Sequence, residues 1–537
     1  MIYLMPQSLN SMGRKNWLGV LLLNLAIALG FYIDNRSASA VDISTDLANI
    51  IPICKKIDHP EWFVNDLYLN DLKDVEYYTP FFVEALRFFA QFTQGDYIQS
   101  LNIISSLVHF IYGLLWFLLF YSIKKEYWLA LIMSLLVRGV IWPPGGELIG
   151  ISGIWSIMPR TVYLALLPLP FLCYVYLKRY RFIVGGLILG LILNFHPLSG
   201  LGGILGYLGL FIGGHLFNKT FFQKDTCFEL LQGLCACFIG MLPYLYVYLS
   251  TIDATVAIDP SIFQLAFEKR ISKVFTNPVA FVKLWNRLPF YFYLVLFLLF
   301  CWMDHSVKKQ YSKVLVFALL LVFIVANGSV YVEQAVNSLF GTTIRMSFQL
   351  IRFQKFILIF FQIGAYLLLV SLAHRFSISS SLKKVGFMCF FAVLWVADAS
   401  FMKKIPFISD DICVNTLPYT LKFRKAPLDT NRENHKAMME YVTMNTPSDA
   451  VFYGDFYIRA AANRSVKLDG KGAGMLIEGN LPQFIQWYID RVHFDSLQPL
   501  ERVQFLKNKK VTHVCTKKYW EGGDLVKSIG DYHLYKL

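Results

Sequence analysis

Long apolar runs separated by short basic stretches make up most of the first 400 residues. The first run, 17–33, follows Arg14 and Lys15. Ten more lie near 101–123, 127–142, 160–177, 182–196, 200–217, 227–250, 288–303, 313–331, 351–373 and 385–401. Runs of this kind predict about eleven helices that cross a bilayer. If they alternate, Lys124/Lys125, Lys178/Arg179/Arg181, Lys219/Lys224, Lys308/Lys309/Lys313 and Arg375/Lys383/Lys384 all fall in one set of connections. The positive-inside rule places that set, and the N-terminus, in the cytoplasm. Ala38-Ser39-Ala40 has the small-residue pattern of a signal-peptidase site. The run before it is nevertheless long enough to stay as a helix, and the orientation downstream is the same either way.

The opposite connections differ in kind. Between Asp34 and Pro80 stand nine acids against Arg36, Lys55, Lys56 and Lys73, among many aromatics. Loops near 251–287 and 332–350 are also substantial, and 262–285 has the amphipathic look of a segment lying on a bilayer surface. From about Met402 the pattern becomes that of a small soluble α/β domain. Helices are expected at 431–444, 482–492 and 499–507, and strands at 450–453, 465–468, 511–515 and 532–535. The expected organisation is a transmembrane domain, 1–401, followed by an extracytoplasmic domain, 402–537.

Composition sharpens this picture. Of 537 residues, 56% are hydrophobic and only 16% charged, with a mean hydropathy of +0.49. That balance excludes most soluble-enzyme classes. The net charge, 50 − 36 = +14, has its source in cytoplasmic loops, so nucleic acid is not an expected partner. Six of the nine cysteines lie in apolar runs. Only Cys54, Cys413 and Cys515 lie outside them, which allows at most one disulfide.

Four groups of residues carry candidate chemistry. In the acidic loop, Asp58 and Asp66 lie in Ile57-Asp58-His59-Pro60-Glu61-Trp62-Phe63-Val64-Asn65-Asp66. A carboxylate there suits deprotonation of an acceptor hydroxyl or ligation of a divalent cation such as Mg or Mn. Asp66, set among Trp62, Phe63, Leu67 and Tyr68, is the one expected to be partly buried. Arg345, Gln349 and Arg352, spaced i, i+4, i+7, form one stripe if helical, with Lys355 a turn deeper. Arg352 precedes Arg375 by about 34 Å of helix, so it belongs at the outer interface as a phosphate clamp.

The third group lies at membrane depth. Arg138 falls about 15 Å of helix beyond Trp128, near the midplane, where it needs a partner or a wet cavity. The Pro- and Gly-broken segment from Trp142 to Arg160 offers Glu147 as that partner and Arg160 as a second phosphate ligand. His196 closes a run at Asn194-Phe195-His196-Pro197, where it can serve structure or touch substrate. In the last domain, Arg459, Asn463, Arg464, Lys471, Trp487 and Arg491 combine cations with an aromatic, a mix suited to sugars or phosphates.

This layout resembles the GT-C superfamily of membrane glycosyltransferases. Three motifs, Ile57-Asp58-His59-Pro60 with Asn65-Asp66, Pro159-Arg160 with Phe195-His196-Pro197, and Arg459 to Arg464-Ser465 with Lys471 and Trp487, resemble a group of bacterial polytopic proteins placed near it. The resemblance implies transfer of a sugar from a polyprenyl-phosphate donor to a glycan, lipid or protein acceptor on the extracytoplasmic face. It gives the base or metal-ligand role to Asp66, with Asp58 second, and phosphate binding to Arg352, Arg345 and Arg160. No Asp-Asp, Asp-x-Asp or Glu-x-Asp pair follows closely on the first span. A transporter or lipid flippase, suggested by Arg138 and the broken segment, and a non-catalytic GT-C-like scaffold are the alternatives.

Overall fold

The computed structural model describes every residue except 1–11, 142–147, 178, 252–258, 272–276, 287, 305–308, 343, 398–414 and 427. It is mostly helical and divides into two compact units. Unit 1 comprises Met1–Asn35, Ser105–Pro243 and Asn277–Lys425; unit 2 comprises Arg36–Ile104, Tyr244–Thr276 and Ala426–Leu537.

Among the described residues, six helices are long and apolar enough to cross a membrane. They are α1 (Arg14–Asp34), α4 (Tyr97–Lys124), α9 (Pro197–Phe217), α10 (Lys224–Thr251), α14 (Gln310–Phe340) and the stretch Ser347–Arg375, which contains α15 (Ser347–Leu350) and α16 (Gln354–Arg375). The other five expected spans fold as shorter pieces. These are α5 (Tyr127–Arg138), α6 (Pro159–Leu166) with α7 (Pro168–Tyr176), α8 (Arg181–Leu193), α13 (Leu288–Met303) and α17 (Ser380–Val396). A 13-residue helix such as α8 measures about 20 Å, short of a hydrocarbon core of about 30 Å. Prolines and glycines set the breaks: Gly139 follows α5, Pro168 opens α7, and Pro197 opens α9 after α8 has ended.

Within unit 1, α9 is the element others pack around, because glycines let neighbours approach its backbone. A Cβ on Gly203 would fall 1.7 Å from the Tyr163 hydroxyl of α6, and one on Gly202 would fall 2.4 Å from the Phe356 ring of α16. Farther along, Gly209 faces Ala318 and Gly213 faces Phe317, both on α14.

Unit 2 carries α2 (Leu47–Asp58), α3 (Pro80–Ala90), α11 (Pro260–Ile271) and the C-terminal α/β elements. The latter run α18 (Thr430–Asn445), β1 (Val451–Gly454), α19 (Tyr457–Ala462), β2 (Ser465–Lys467), α20 (Gly470–Gly479), α21 (Leu481–Ser496), α22 (Pro499–Asn508), β3 (His513–Thr516), β4 (Asp524–Ile529) and β5 (Tyr532–Lys536). The sheet order is β2-β1-β3-β5-β4, with β1 parallel to β2 and β3, and β5 antiparallel to β3 and β4. Its two faces are covered by separate apolar clusters, one around Phe452 and Val466 and one around Val451 and Val514. Gly454 ends β1 at φ +116°, with the Cys515 carbonyl 2.0 Å from where a Cβ would sit.

The expected helices and strands of this domain are all present; α19, α20 and β4 are additional. The boundary is drawn differently from 401/402. The acidic loop belongs with the C-terminal elements, because α2 packs on α19 and the loop's Asp66 is bonded into the end of that helix. Cys54 and Cys515 are buried free thiols; Cys413 lies outside the described residues.

Candidate functional site

In unit 1, α6, α9 and α16 begin side by side, and each start carries polar groups. Arg160 is the second residue of α6, and His196 caps α9, its Nδ1 accepting the Ser199 backbone N–H at 3.1 Å. In the neutral ring this leaves the hydrogen on Nε2. Lys355, second in α16, is fully buried and donates to the Ser199 hydroxyl at 2.7 Å. One turn before it, the Arg352 guanidinium lies 4.3 Å over the Phe348 ring. Gln354 donates to Asn327 Oδ1 at 2.6 Å, and Asn286 donates to the same oxygen at 3.0 Å. Backbone N–H groups at helix starts and cations at the same level favour an anion.

An apolar pocket opens along the same helices, one turn and more below that polar rim. It is small, with free room of about 20 Å³, roughly one water, between Trp116 of α4, Leu167, Gly206 and Leu210 of α9, and Phe360 and Ile363 of α16. The pocket is apolar and largely aromatic, with Trp116, Phe171, Tyr207, Phe356 and Phe360 in its wall.

The arginine stripe is drawn differently from the sequence expectation. Arg345 precedes the helix and bonds the Ile344 carbonyl, Gln349 lies in α15, and Arg352 lies in a 3-10 turn, Ile351–Phe353. The cause is Glu333 of α14, whose carboxylate accepts from Ser347 N at 2.7 Å and Ser347 Oγ at 2.8 Å and so fixes the helix start at Ser347. Arg352 and Lys355 therefore share the rim, and Arg345 stays partly exposed outside the helix. Arg138 is wholly buried at the end of α5. Glu147 lies outside the described residues.

In unit 2, Asp66 is more than partly buried: none of its side chain is exposed. Oδ2 accepts from Arg459 Nε at 2.7 Å and Val466 N at 2.7 Å; Oδ1 accepts from Tyr68 N at 3.1 Å and Leu69 N at 3.3 Å. Arg459 completes a triad through Nη2, which donates to Asp469 Oδ1 at 2.6 Å, and it stacks 4.7 Å over Tyr68. Burial opposes the charge on Arg459, but Asp469 and Asp66 outweigh it and hold its pKa above the ordinary value. Both Asp66 oxygens are thus occupied by groups that fix structure.

Asp58 is the more accessible carboxylate, about 30% exposed. It pairs with Arg87 at 2.7 Å, while the Tyr97 hydroxyl donates to its other oxygen. Among the described residues no three His, Cys, Asp or Glu side chains are grouped to hold a metal. Asp66 and Asp58 each spend their charge on an arginine, so the nominated carboxylates do not form a cation cage.

The remaining candidates in this unit also have internal partners. Arg464 donates to the carbonyls of Ala462 at 2.8 Å and Thr446 at 2.7 Å, closing the end of α18; Lys471 pairs with Asp46 at 2.6 Å. The cation set read as a sugar or phosphate surface is, for Arg459 and Arg464, part of the interior. The sequence reading missed Ser199, Asp469 and Arg87. Ser199, third residue of a helix opened by His196-Pro197, and Asp469, capping a Gly-rich helix start, both carry a local signal. Arg87 carries none. No family model matches the chain, and no curated protein does.

Proposed function

We propose that this chain is a membrane glycosyltransferase of GT-C type, which takes a sugar from a polyprenyl-phosphate carrier and passes it to an acceptor on the extracytoplasmic face. The observation that carries the reading is the rim of Arg160, His196, Ser199, Arg352 and Lys355 above an apolar slot. The carrier phosphate would sit at the rim, and the first part of its isoprenoid tail would enter by parting the apolar side chains around the small pocket below it. In the transfer, the acceptor oxygen bonds to the sugar's anomeric carbon as the carbon–phosphate-oxygen bond breaks. The phosphate leaves with the electron pair, and the rim cations stabilise its charge. The acceptor proton needs a general base.

A second reading, a non-catalytic relative of the same architecture, is favoured by the complete engagement of Asp66. It requires the same lipid site without transfer.

The test is mass spectrometry of lipids that co-purify in mild detergent, comparing wild type with Lys355→Ala and Arg352→Ala. Enrichment of a polyprenyl phosphate or its glycoside in wild type, lost in the variants, is the expected result. Bulk phospholipid alone, equal in all three, would remove both readings.

A further inference from the structure

The sheet of unit 2 holds an arrangement that the rim does not use. β1 is the middle strand of its parallel part, with β2 on one side and β3 on the other. After β1 the chain turns onto the face of Phe452 and Val466, into α19, whose Ile458 and Ala462 pack there. After β3 it turns onto the opposite face, where Trp520 stacks on Phe494 of α21. The carboxyl ends of β1 and β3 are left as a crevice between two diverging turns, which is where open α/β sheets hold their ligands.

Polar side chains converge on that edge from four elements. Asp455 follows β1, Lys517 follows β3, Tyr532 opens β5, and Asn431 and His435 stand one turn apart on α18. His435 Nε2 donates to Asp455 Oδ2 at 2.6 Å, and the ring stacks on Tyr532 at 4.5 Å. Lys517 Nζ lies 4.6 Å over the same Tyr532 ring and 3.4 Å from Asn431 Oδ1.

The edge is open to solvent. Gly454, Asn431 and Lys517 are exposed, and the side chains of His435 and Asp455 are 11% and 14% exposed. An ionised carboxylate only accepts, so Asp455 draws the ring hydrogen of His435 to Nε2 and leaves a lone pair on Nδ1. Nδ1 has no hydrogen-bond partner among the described residues, and solvent reaches it.

These groups select a neutral ligand. An anion would face the Asp455 carboxylate, and the Tyr457 backbone N–H beside it is already taken by Asp455 Oδ1 at 2.9 Å. A cation would face Lys517. His435 Nδ1 accepts one O–H, while the Lys517 ammonium and the Asn431 amide donate to oxygens, a set that fits neighbouring hydroxyls.

We propose that this crevice binds a neutral sugar residue, with His435 Nδ1 accepting from one of its hydroxyls and Lys517 and Asn431 donating to others. Asp455 is the positioning residue, since it fixes the tautomer of His435. The site goes beyond the transfer reading and uses none of the rim residues, so either can fail alone.

The experiment takes the full-length protein in a detergent without a sugar headgroup and offers it methyl pyranosides: the glucoside, galactoside, mannoside and N-acetylglucosaminide. Binding is read by saturation-transfer NMR. Its place is read from the rate at which diethyl pyrocarbonate modifies His435, followed by peptide mass spectrometry. Wild type is expected to give saturation transfer with one or more of the glycosides, and the same glycoside should slow modification of His435. His435→Phe keeps a ring against Tyr532 without Nδ1 and should lose the signal. Asp455→Asn should lose it too: Oδ1 still accepts from Tyr457 N, while the amide donates to Nε2 and moves the ring hydrogen to Nδ1. This second variant keeps the test valid if His435→Phe does not fold. No saturation transfer with any glycoside overturns the proposal, as does a signal that survives in either variant or that leaves modification of His435 unchanged. Protection of His435 by inorganic phosphate and by no glycoside would assign an anion to the crevice and likewise overturn it.

Discussion

The Asp66 carboxylate and the Arg459 guanidinium, 393 residues apart in the chain, meet at 2.7 Å with neither side chain exposed. The pair joins the acidic loop to the end of α19 and, through Asp469, to the start of α20. Removing one member of a buried pair strands the other. Asp66→Asn should therefore destabilise unit 2 by about 3–5 kcal/mol, read as earlier loss of the unit in chemical denaturation. Asp58→Asn should cost about 1 kcal/mol or less, because its pair with Arg87 is part-exposed.

Gly206 faces the apolar slot, and a Cβ there would already lie 3.3 Å from the Phe360 ring. Gly206→Leu fills the space a lipid tail would use, at a cost of about 1–3 kcal/mol in overpacking. Lipid retained through purification should fall as it does for Lys355→Ala, although Arg160, Ser199 and Lys355 are untouched. Quantifying bound lipid per protein checks this.

Lys55 gives a pH signature. Burial lowers its pKa from 10.5 to about 8, against the opposing pull of Asp96, and its Nζ donates to the Ala460 carbonyl and Asn463 Oδ1. Between those two values the unfolded chain binds more protons than the folded one, so stability rises with pH. The gain is complete above the unfolded pKa and is lost as pH falls through the folded value. The slope should be on the order of 1 kcal/mol per pH unit, and Lys55→Met should abolish it. Denaturation midpoints measured across that window decide the matter.

Gly454→Ala should weaken the sheet of unit 2. The residue combines φ +116° with a carbonyl in the place of its Cβ. An alanine must shift the β1–β3 pairing at its Cys515 end, at a cost of about 1–3 kcal/mol. Slower-exchanging amides at Asp455, which donates to the Cys515 carbonyl, should lose protection in the variant.

What was legible in the sequence follows from the range of the forces involved. Periodicity located α18, α21, α22 and four of the strands, because each has an apolar face that repeats within a few residues. It read about eleven spans, of which six among the described residues are helices long and apolar enough to cross; apolarity marks burial as well as membrane, and α8 and α5 are apolar yet short. Helix starts were legible where a proline marks them, as at Pro159-Arg160 and His196-Pro197. The burial of Asp66 was legible in its aromatic setting, but its partners Arg459 and Asp469 sit some 400 residues away. No local pattern announces an ion pair made by the fold. Glu333, which fixes the start of α15, is invisible for the same reason.

Unit 2 is drawn from Arg36–Ile104, Tyr244–Thr276 and Ala426–Leu537, and this discontinuity has a consequence in time. At a synthesis rate of about 5–20 residues per second, Asp66 leaves the ribosome roughly 20–80 seconds before Arg459 exists to meet it. Through that interval the acidic loop has no counter-charge from α19 and no sheet to rest on. The loop can mature only once the final segment has been made. A nascent chain that stalls after the last apolar helix would thus display an acidic loop without the partners that fix it.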